Sequence, residues 1–175
     1  MLNPYLEYPE EFDFIGWEKF YDDRFEEYLS LLNKRTQRLS ELDKNSMDYM
    51  TYRDIILVML RAILIESPGN NKNYTVQNFL KRHNRIDLAN KTNDYLNQDI
   101  NKMYTLREAI KIVVDKYIAH NENMVKYSEE SKEKELDMKN IFCDYLYLND
   151  IKNENFPFTI EKIVYTINNT IESIK

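Results

Sequence analysis

The chain has 175 residues, which is enough for one domain that buries its own hydrophobic core. Its 2 Gly and 4 Pro provide few turn residues, so the composition favours long helices over a many-stranded sheet. A formal net charge of -6 argues against a protein that coats nucleic acid through bulk positive charge, although a local basic site remains compatible with it.

The cysteine and histidine content indicates a reducing compartment and no metal centre. Cys143 is the single cysteine, and the first residues, MLNPYLEYPEEF, lack the basic and then apolar pattern of a secretion signal. We therefore expect a cytoplasmic protein. Two distant histidines offer no ligand spacing for a metal, and two glycines cannot build a phosphate-binding loop, so we expect neither metal nor cofactor.

Two long helices are predicted in the first part of the chain. Residues 14–43 carry apolar side chains at alternating steps of four and three, and Arg35 occupies the one polar position of this stripe. The pattern fits a bundle helix or a short coiled coil. The second helix begins near Asp48 and contains IILVMLRAILI. This run is shorter than the roughly 20 residues that span a bilayer and contains Arg61, so we expect a central core helix buried on every side and no membrane association.

Three further segments follow the breaker pair Pro68-Gly69. Thr75 is the expected N-cap of a short helix with Val76, Phe79 and Leu80 facing inward. The stretch RIDLANKTNDYLNQDI is weakly periodic and leaves its structure open. A helix is expected from about residue 105 to residue 119.

The end of the chain contains a charged run and one more helix. Residues 122–137, ENMVKYSEESKEKELD, are predicted to be a solvated loop or a frayed helix end. Thr159 is the expected N-cap of a last helix whose isoleucines and Val164 form one stripe. The chain as a whole, residues 1–175, is predicted to be a single all-α domain, an up-and-down bundle of five to six helices.

His120 stands at the end of the predicted helix over residues 105–119. At 100° per residue, Leu106, Ile110, Val113 and Tyr117 share a face, and His120 falls on its flank if the helix continues. Lys116 is four residues earlier, and a neighbouring cation favours the neutral, basic imidazole. A histidine here is therefore either a helix cap that complements the dipole or an acid–base group.

The sequence LREAIKIVVDKYIAHNE resembles the signature helix of the HEPN superfamily, and more closely its abortive-infection branch. In that family an arginine and a polar residue precede, by a few residues, the pair AH and another polar residue. YRDIILVMLRAILIES, YTVQNFLK and FTIEKIVYTINNTI follow in this chain the order seen in such proteins, so the resemblance extends over about residues 17–174.

The resemblance implies a metal-independent endoribonuclease that works as a homodimer, with the motif helices of both subunits lining one cleft. His120 would act as general base on a ribose 2′-OH or as general acid on the departing 5′ oxygen. Asp115 would match the polar residue after the family's arginine, and Asn121 the polar, substrate-binding residue after the histidine. The implied partners are RNA and an antitoxin or another protein of a phage-defence system.

The chain departs from the family at Val114, where the resemblance places an arginine. A guanidinium there would hold a phosphate through a forked contact that valine cannot make. Lys116 and Arg61 are the candidate replacements, the first in a catalytic role and the second in substrate binding. Because an unpaired charge in an apolar helix is costly, Arg61 has the alternative of an ion pair with Asp54 or Asp115.

The densest basic tract is FLKRHNR, which contains Lys81 and Arg82. It would guide RNA toward a cleft, or it is a solvated helix face. Two functions therefore remain open. One is an RNA-cleaving HEPN-like toxin, and the other is a HEPN-like module that has lost catalysis and acts by dimerisation or by binding protein or RNA.

Overall fold

The computed structural model of the chain describes residues 14–66, 73–101, 104–118 and 158–174. Helices dominate these ranges, which confirms the predicted all-α fold and its number of helices. The elements are α1 (Phe14–Ser40), α2 (Met47–Ile65), α3 (Val76–Arg82), α4 (Ile86–Leu96), β1 (Asp99–Asn101), β2 (Tyr104–Thr105), α5 (Leu106–Ile112), a π-helix (Val113–Ile118) and α6 (Ile160–Glu172).

The second helix, α2, lies at the centre of the described structure. It packs against α1, α3, α5 and the π-helix, and its side chains at Ile56, Leu57, Leu60, Ile63 and Leu64 are almost completely buried. They belong to one cluster of buried apolar side chains to which every described α-helix contributes. None of the helices within the described ranges is long and apolar enough to cross a membrane.

One expectation about α2 is wrong, because this helix is not buried on every side. Ile55 and Val58 expose 37% and 42% of their surface. Neighbouring helices cover only part of the circumference of α2, and the residues of IILVMLRAILI that point away from them lie on the surface of the described structure. Hydrophobicity alone does not report which face of a helix has neighbours.

Threonine side chains cap the starts of α3, α5 and α6. Thr75 and Thr159 accept hydrogen bonds from the backbone N–H of Asn78 and Lys162, which confirms both predicted caps. Thr105 forms a capping box with Glu108, in which each side chain bonds the backbone of the other residue. Each cap satisfies an N–H group that the first helical turn leaves without a partner.

The structure shows the form of one segment that the sequence left open and corrects the prediction for another. The ambiguous stretch RIDLANKTNDYLNQDI forms α4 and strand β1, and only Ala89, Thr92 and Leu96 of α4 are buried, which explains its weak periodicity. The helix predicted for residues 105–119 is α-helical only as far as Ile112 and continues as a π-helix. The charged run at residues 122–137 lies outside the described residues.

The last helix, α6, packs against α1 through the predicted stripe. Ile160, Ile163, Val164, Ile167 and Ile171 are buried, and this part of the prediction is confirmed. On the same contact the side-chain amides of Asn33 and Asn168 bond each other in both directions, at 3.1 and 2.8 Å. This reciprocal pair satisfies two half-buried amides and fixes the register of α1 on α6.

We expect the centre of α2 to carry much of the stability. Leu57 is completely buried, and Leu57→Ala should lower the free energy of unfolding by about 2–5 kcal/mol because it leaves a cavity. Met47, at the start of the same helix, is 74% exposed, so Met47→Ala should change it by less than about 0.5 kcal/mol. Urea denaturation measures both values, and equal effects of the two substitutions would contradict the central placement of α2.

Candidate functional site

Arg61 of α2 and Asp115 of the π-helix form an ion pair between distant parts of the described chain. Arg61 Nε donates to Asp115 Oδ1 at 2.6 Å, and Arg61 Nη2 donates to Asp115 Oδ2 at 3.3 Å. Both side chains are more than two-thirds buried, so the guanidinium and the carboxylate are held in one forked geometry. This is one of the two ion pairs predicted for Arg61.

The other predicted partner, Asp54, is engaged elsewhere. Its carboxylate accepts from Nε and Nη2 of Arg53 at 3.1 and 3.0 Å. The remaining terminal nitrogen of Arg61, Nη1, lies 3.6 Å from Glu66 Oε1 at the C-terminal end of α2. Arg61 thus stands between two carboxylates, and its charge is compensated before any ligand arrives.

The π-helix ends two residues before the candidate histidine in the sequence. Single turns of π-helix are rare and occur frequently at functional sites. Because a π-helix winds more loosely than an α-helix, positions calculated at 100° per residue do not apply from Val113 onward. The placement of His120 relative to Tyr117 on an α-helical wheel therefore has to be abandoned.

Val114 is buried, with 4% of its surface exposed. This is the position at which the resemblance places the phosphate-binding arginine. In this chain it contributes to the hydrophobic core, so a guanidinium at position 114 would replace an apolar side chain in the core. Val114 therefore differs from the family's arginine in two ways: it lacks the charge, and it fills part of the hydrophobic core.

Three of the predicted site residues cannot be placed in full. His120 and Asn121 lie outside the described residues, and the side chain of Lys116 does as well, although its backbone belongs to the π-helix. The structure therefore brings together Arg61 and Asp115, which are 54 residues apart. It does not test the roles assigned to the other three residues.

The basic tract around Arg82 is anchored to α1. Arg82 Nε donates to Asp22 Oδ1 at 2.8 Å, and His83 Nε2 lies 3.1 Å from Asp22 Oδ2. The Arg82 guanidinium also lies over the ring of Tyr21, at 5.7 Å from the centroid. Its side chain is only 14% exposed, and its buried Nη1 and Nη2 find no hydrogen-bond partner in the part of the chain that the structure describes.

This geometry corrects the interpretation of the tract as a solvated helix face, at least for Arg82. Lys81 is exposed, as a solvated or RNA-guiding lysine should be, whereas Arg82 joins α3 to α1. The described contacts of Arg82 run toward α1 and not toward the π-helix. Lys81 and Arg82 are thus not part of the arrangement around Arg61.

Sequence reasoning missed the Asp22–His83 contact. The His83 ring is tilted against the ring of Phe79, with 4.5 Å between the two centroids, and His83 follows directly after α3. The imidazole therefore contacts both α1 and α3. No sequence signal connects Asp22 with a histidine about 60 residues away, because neither residue belongs to a motif. The contact is best understood as part of the α1–α3 packing.

Two of the clefts on the described surface are lined by none of the predicted site residues. The larger has a volume of about 310 Å³ and lies between the end of α1 and the starts of α2 and α6. The smaller, of about 140 Å³, lies between α2, α3, α4 and α6. Within the described ranges, no three His, Cys, Asp or Glu side chains lie close enough to hold a metal ion.

The Arg61–Asp115 pair should have a measurable coupling energy. In a double-mutant cycle of Arg61→Ala and Asp115→Ala, we expect about 1.5–3 kcal/mol because the forked bond is shielded from water. The exposed pair Arg38–Glu41 is the matched control and should give about 0.2–1 kcal/mol. Equal coupling energies from urea denaturation would show that the forked pair does not hold the π-helix on α2.

No protein-family model, curated protein or solved structure matches the chain. The chemistry of the molecule is therefore inferred from its own side chains. Among the described residues, the forked Arg61–Asp115 pair on the π-helix is the arrangement that best fits a functional site.

Proposed function

We propose that this protein is a HEPN-like, metal-independent endoribonuclease of a phage-defence or toxin–antitoxin type system, with His120 as its catalytic histidine. The supporting observation is the π-helix that Arg61 holds through Asp115 and that ends two residues before His120 in the sequence. Such a helix distortion is costly to keep and is common where a side chain must be aimed at a substrate. The proposal includes a cytoplasmic location, where RNA is available.

The proposed reaction needs proton transfer and no metal. A base removes the proton of a ribose 2′-OH, the 2′ oxygen attacks the adjacent phosphorus, and the bond from phosphorus to the 5′ oxygen breaks as an acid protonates that oxygen. Solvent water takes whichever of the two proton-transfer roles His120 does not take. His120 acts either in the first of these roles or as the acid that protonates the 5′ oxygen. The products are a 2′,3′-cyclic phosphate and a free 5′-OH, whichever of the two roles it takes.

Arg61 is the cation proposed to assist this step. Its guanidinium is fixed by Asp115, which orients it without mobile side-chain torsions. A phosphate would compete with Glu66 for Nη1, whose contact at 3.6 Å is longer than the two hydrogen bonds of Arg61 with Asp115. Arginine presents a planar fork to a phosphate, which Lys116 cannot do, and we assign Lys116 only a supporting charge near His120.

A second function is supported by the burial of Val114. With a core valine where the family has its phosphate-binding arginine, the chain would be a catalytically degenerate HEPN-like module that acts by dimerisation or by binding protein or RNA. Loss of one electrostatic stabiliser of this kind typically costs about a hundredfold to a thousandfold in rate. The two functions differ in one observable, the cleavage of RNA.

The two histidines of the chain allow a matched test of the enzyme. Purified protein is incubated with structured RNA in EDTA, and the product ends are identified by mass spectrometry. We expect cleavage to 2′,3′-cyclic phosphate ends, at least about a hundredfold loss of rate in His120→Ala, and little change in His83→Ala. His83 serves as control because its contacts belong to the packing of α3 on α1.

Intact RNA with every variant would eliminate the enzyme and leave the binding module. Cleavage that survives in His120→Ala but disappears in His83→Ala would make His83, beside Asp22, the catalytic histidine instead. Cleavage that stops in EDTA would also contradict the proposal, because the mechanism assigns no step to a metal.

The proposed enzyme is a homodimer whose motif helices face each other across a two-fold axis. Multi-angle light scattering at micromolar concentration should give twice the chain mass of 21.3 kDa. An antitoxin or another defence protein is the proposed regulatory partner. A monomer that nevertheless cleaves RNA would contradict the shared cleft without affecting the role of His120.

A further inference from the structure

Arg107 of α5 is a half-buried arginine that two neutral amides hold in place. Its Nε donates to Asn97 Oδ1 at 3.2 Å, and its Nη2 donates to Asn93 Oδ1 at 3.0 Å, so both partners belong to the C-terminal part of α4 or follow it directly. Every other described arginine except Arg35 pairs with a carboxylate instead. The charge of Arg107 is therefore fixed in position but not compensated by a described residue.

The surroundings of Arg107 do not neutralise its charge. The next residue, Glu108, directs its carboxylate to the backbone N–H and the hydroxyl of Thr105. Burial lowers the pKa of Arg107, because the guanidinium loses part of its contact with water. A cation that is partly removed from water interacts more strongly with an approaching anion than a fully exposed one does.

The two amides occupy only one edge of the guanidinium. They bind Nε and Nη2, whereas the end of the group, formed by Nη1 and the second hydrogen of Nη2, makes no hydrogen bond to the described residues. Nη1 does not belong to the buried donors that lack a partner in the described structure, so solvent reaches it. The free end of an arginine is a fork that binds two oxygens of one phosphate at once.

The two asparagines add further donors beside Arg107. Because a guanidinium only donates, Asn93 and Asn97 turn their oxygens toward it and their NH₂ groups away from it. Asn93 is also held from the core, since its Oδ1 accepts from Nε2 of Gln77 at 3.3 Å. Gln77 is 2% exposed and donates to the carbonyl of Leu64 at 3.0 Å. The side-chain groups that remain free on Arg107 and the two asparagines are all donors, and this arrangement is complementary to an anion.

Lys111 extends this positive surface along α5. It lies four residues after Arg107, on the same side of the helix, and is exposed. A fork and a second cation one helical turn away suit the repeated phosphates of a nucleic acid strand better than one small anion. We call Asn93, Asn97, Arg107 and Lys111 the Arg107 cluster.

We propose that the Arg107 cluster is a phosphate-binding site that holds the backbone of an RNA strand on the helix that leads toward His120. Arg107 binds one phosphate through its free fork, the asparagine NH₂ groups donate to the same strand, and Lys111 attracts the adjacent phosphate as a point charge. The assignment of the phosphates to RNA rests on the proposed function. The assignment to phosphate rests on the contacts of Arg107 alone.

Binding can be measured separately from cleavage with a fluorescent, single-stranded 2′-O-methyl RNA, by fluorescence anisotropy at several salt concentrations. Asn97→Asp is the most informative variant, because aspartate keeps an oxygen for Nε of Arg107 but compensates the charge. We expect affinity to fall about tenfold and the dependence of log affinity on log salt to lose about 0.7, which corresponds to one phosphate contact. Arg107→Gln should have a similar effect.

Two controls make the same change of net charge elsewhere. Asn45→Asp lies at an exposed position in the turn between α1 and α2, and Arg38→Gln removes an exposed arginine that pairs with Glu41. Both should leave affinity within about twofold of the wild-type value. Urea denaturation checks that each variant folds, and Asn97→Asp should be at least as stable as the wild type because it replaces a neutral hydrogen bond with an ion pair.

Equal affinity and equal salt dependence in Asn97→Asp and Asn45→Asp would overturn the proposal, and so would a wild-type protein that does not bind the RNA. Displacement of the RNA by inorganic phosphate at the same concentration of phosphate groups would overturn the assignment to RNA. The fate of the proposed enzyme is distinguishable from these outcomes. Unmodified RNA that binds through Arg107 but stays intact would eliminate the enzyme and support the site, whereas RNA that is cleaved and binds Asn97→Asp with unchanged affinity would eliminate the site alone.

Discussion

The charge of Arg61 inside the apolar run IILVMLRAILI of α2 is the constraint around which this part of the structure is arranged. A guanidinium among Leu60, Ile63 and Leu64 would be expensive without a partner. Asp115 provides that partner through two hydrogen bonds, and the same contact attaches the π-helix to the side of α2. One electrostatic requirement therefore links the central helix to the segment that leads toward His120. Removing either side chain would leave the charge of the other half-buried and uncompensated. Each of the two residues therefore depends on the other.

The features that the sequence predicted correctly depend on near neighbours in the chain. Thr75 and Thr159 are recognisable as caps because a short side chain bonds a backbone N–H three residues later. The stripe on α6 follows directly from helical spacing, and the pairing of Arg61 follows from the cost of an unpaired charge. These arguments need only local geometry or a single energetic rule, and they hold without knowledge of the tertiary packing.

The features that the sequence did not predict depend on distant contacts. The sequence pattern does not indicate the change from α5 to a π-helix, because VVDKYI has the composition of an ordinary α-helix. The contacts of Asp22 with Arg82 and His83 join α1 to α3 across about 60 residues. Likewise, hydrophobicity could not reveal that Ile55 and Val58 would lie on the surface, because that depends on where the neighbouring helices end. In the candidate site, the partner of Arg61 was predictable only as one of two acids.

The proposed ribonuclease requires that RNA approach His120 and not the other imidazole of the molecule. The most direct measurement is a two-dimensional ¹H–¹⁵N spectrum of the histidine side chains during titration with 2′-O-methyl RNA, which binds but offers no 2′-OH to deprotonate. With two histidines in the chain, the imidazole signals are assigned from the His83→Ala variant. We predict that the ring signals of His120 shift in proportion to bound RNA while those of His83 remain in place beside Asp22. Unchanged signals of His120 at saturating RNA, or shifts confined to His83, would contradict the account.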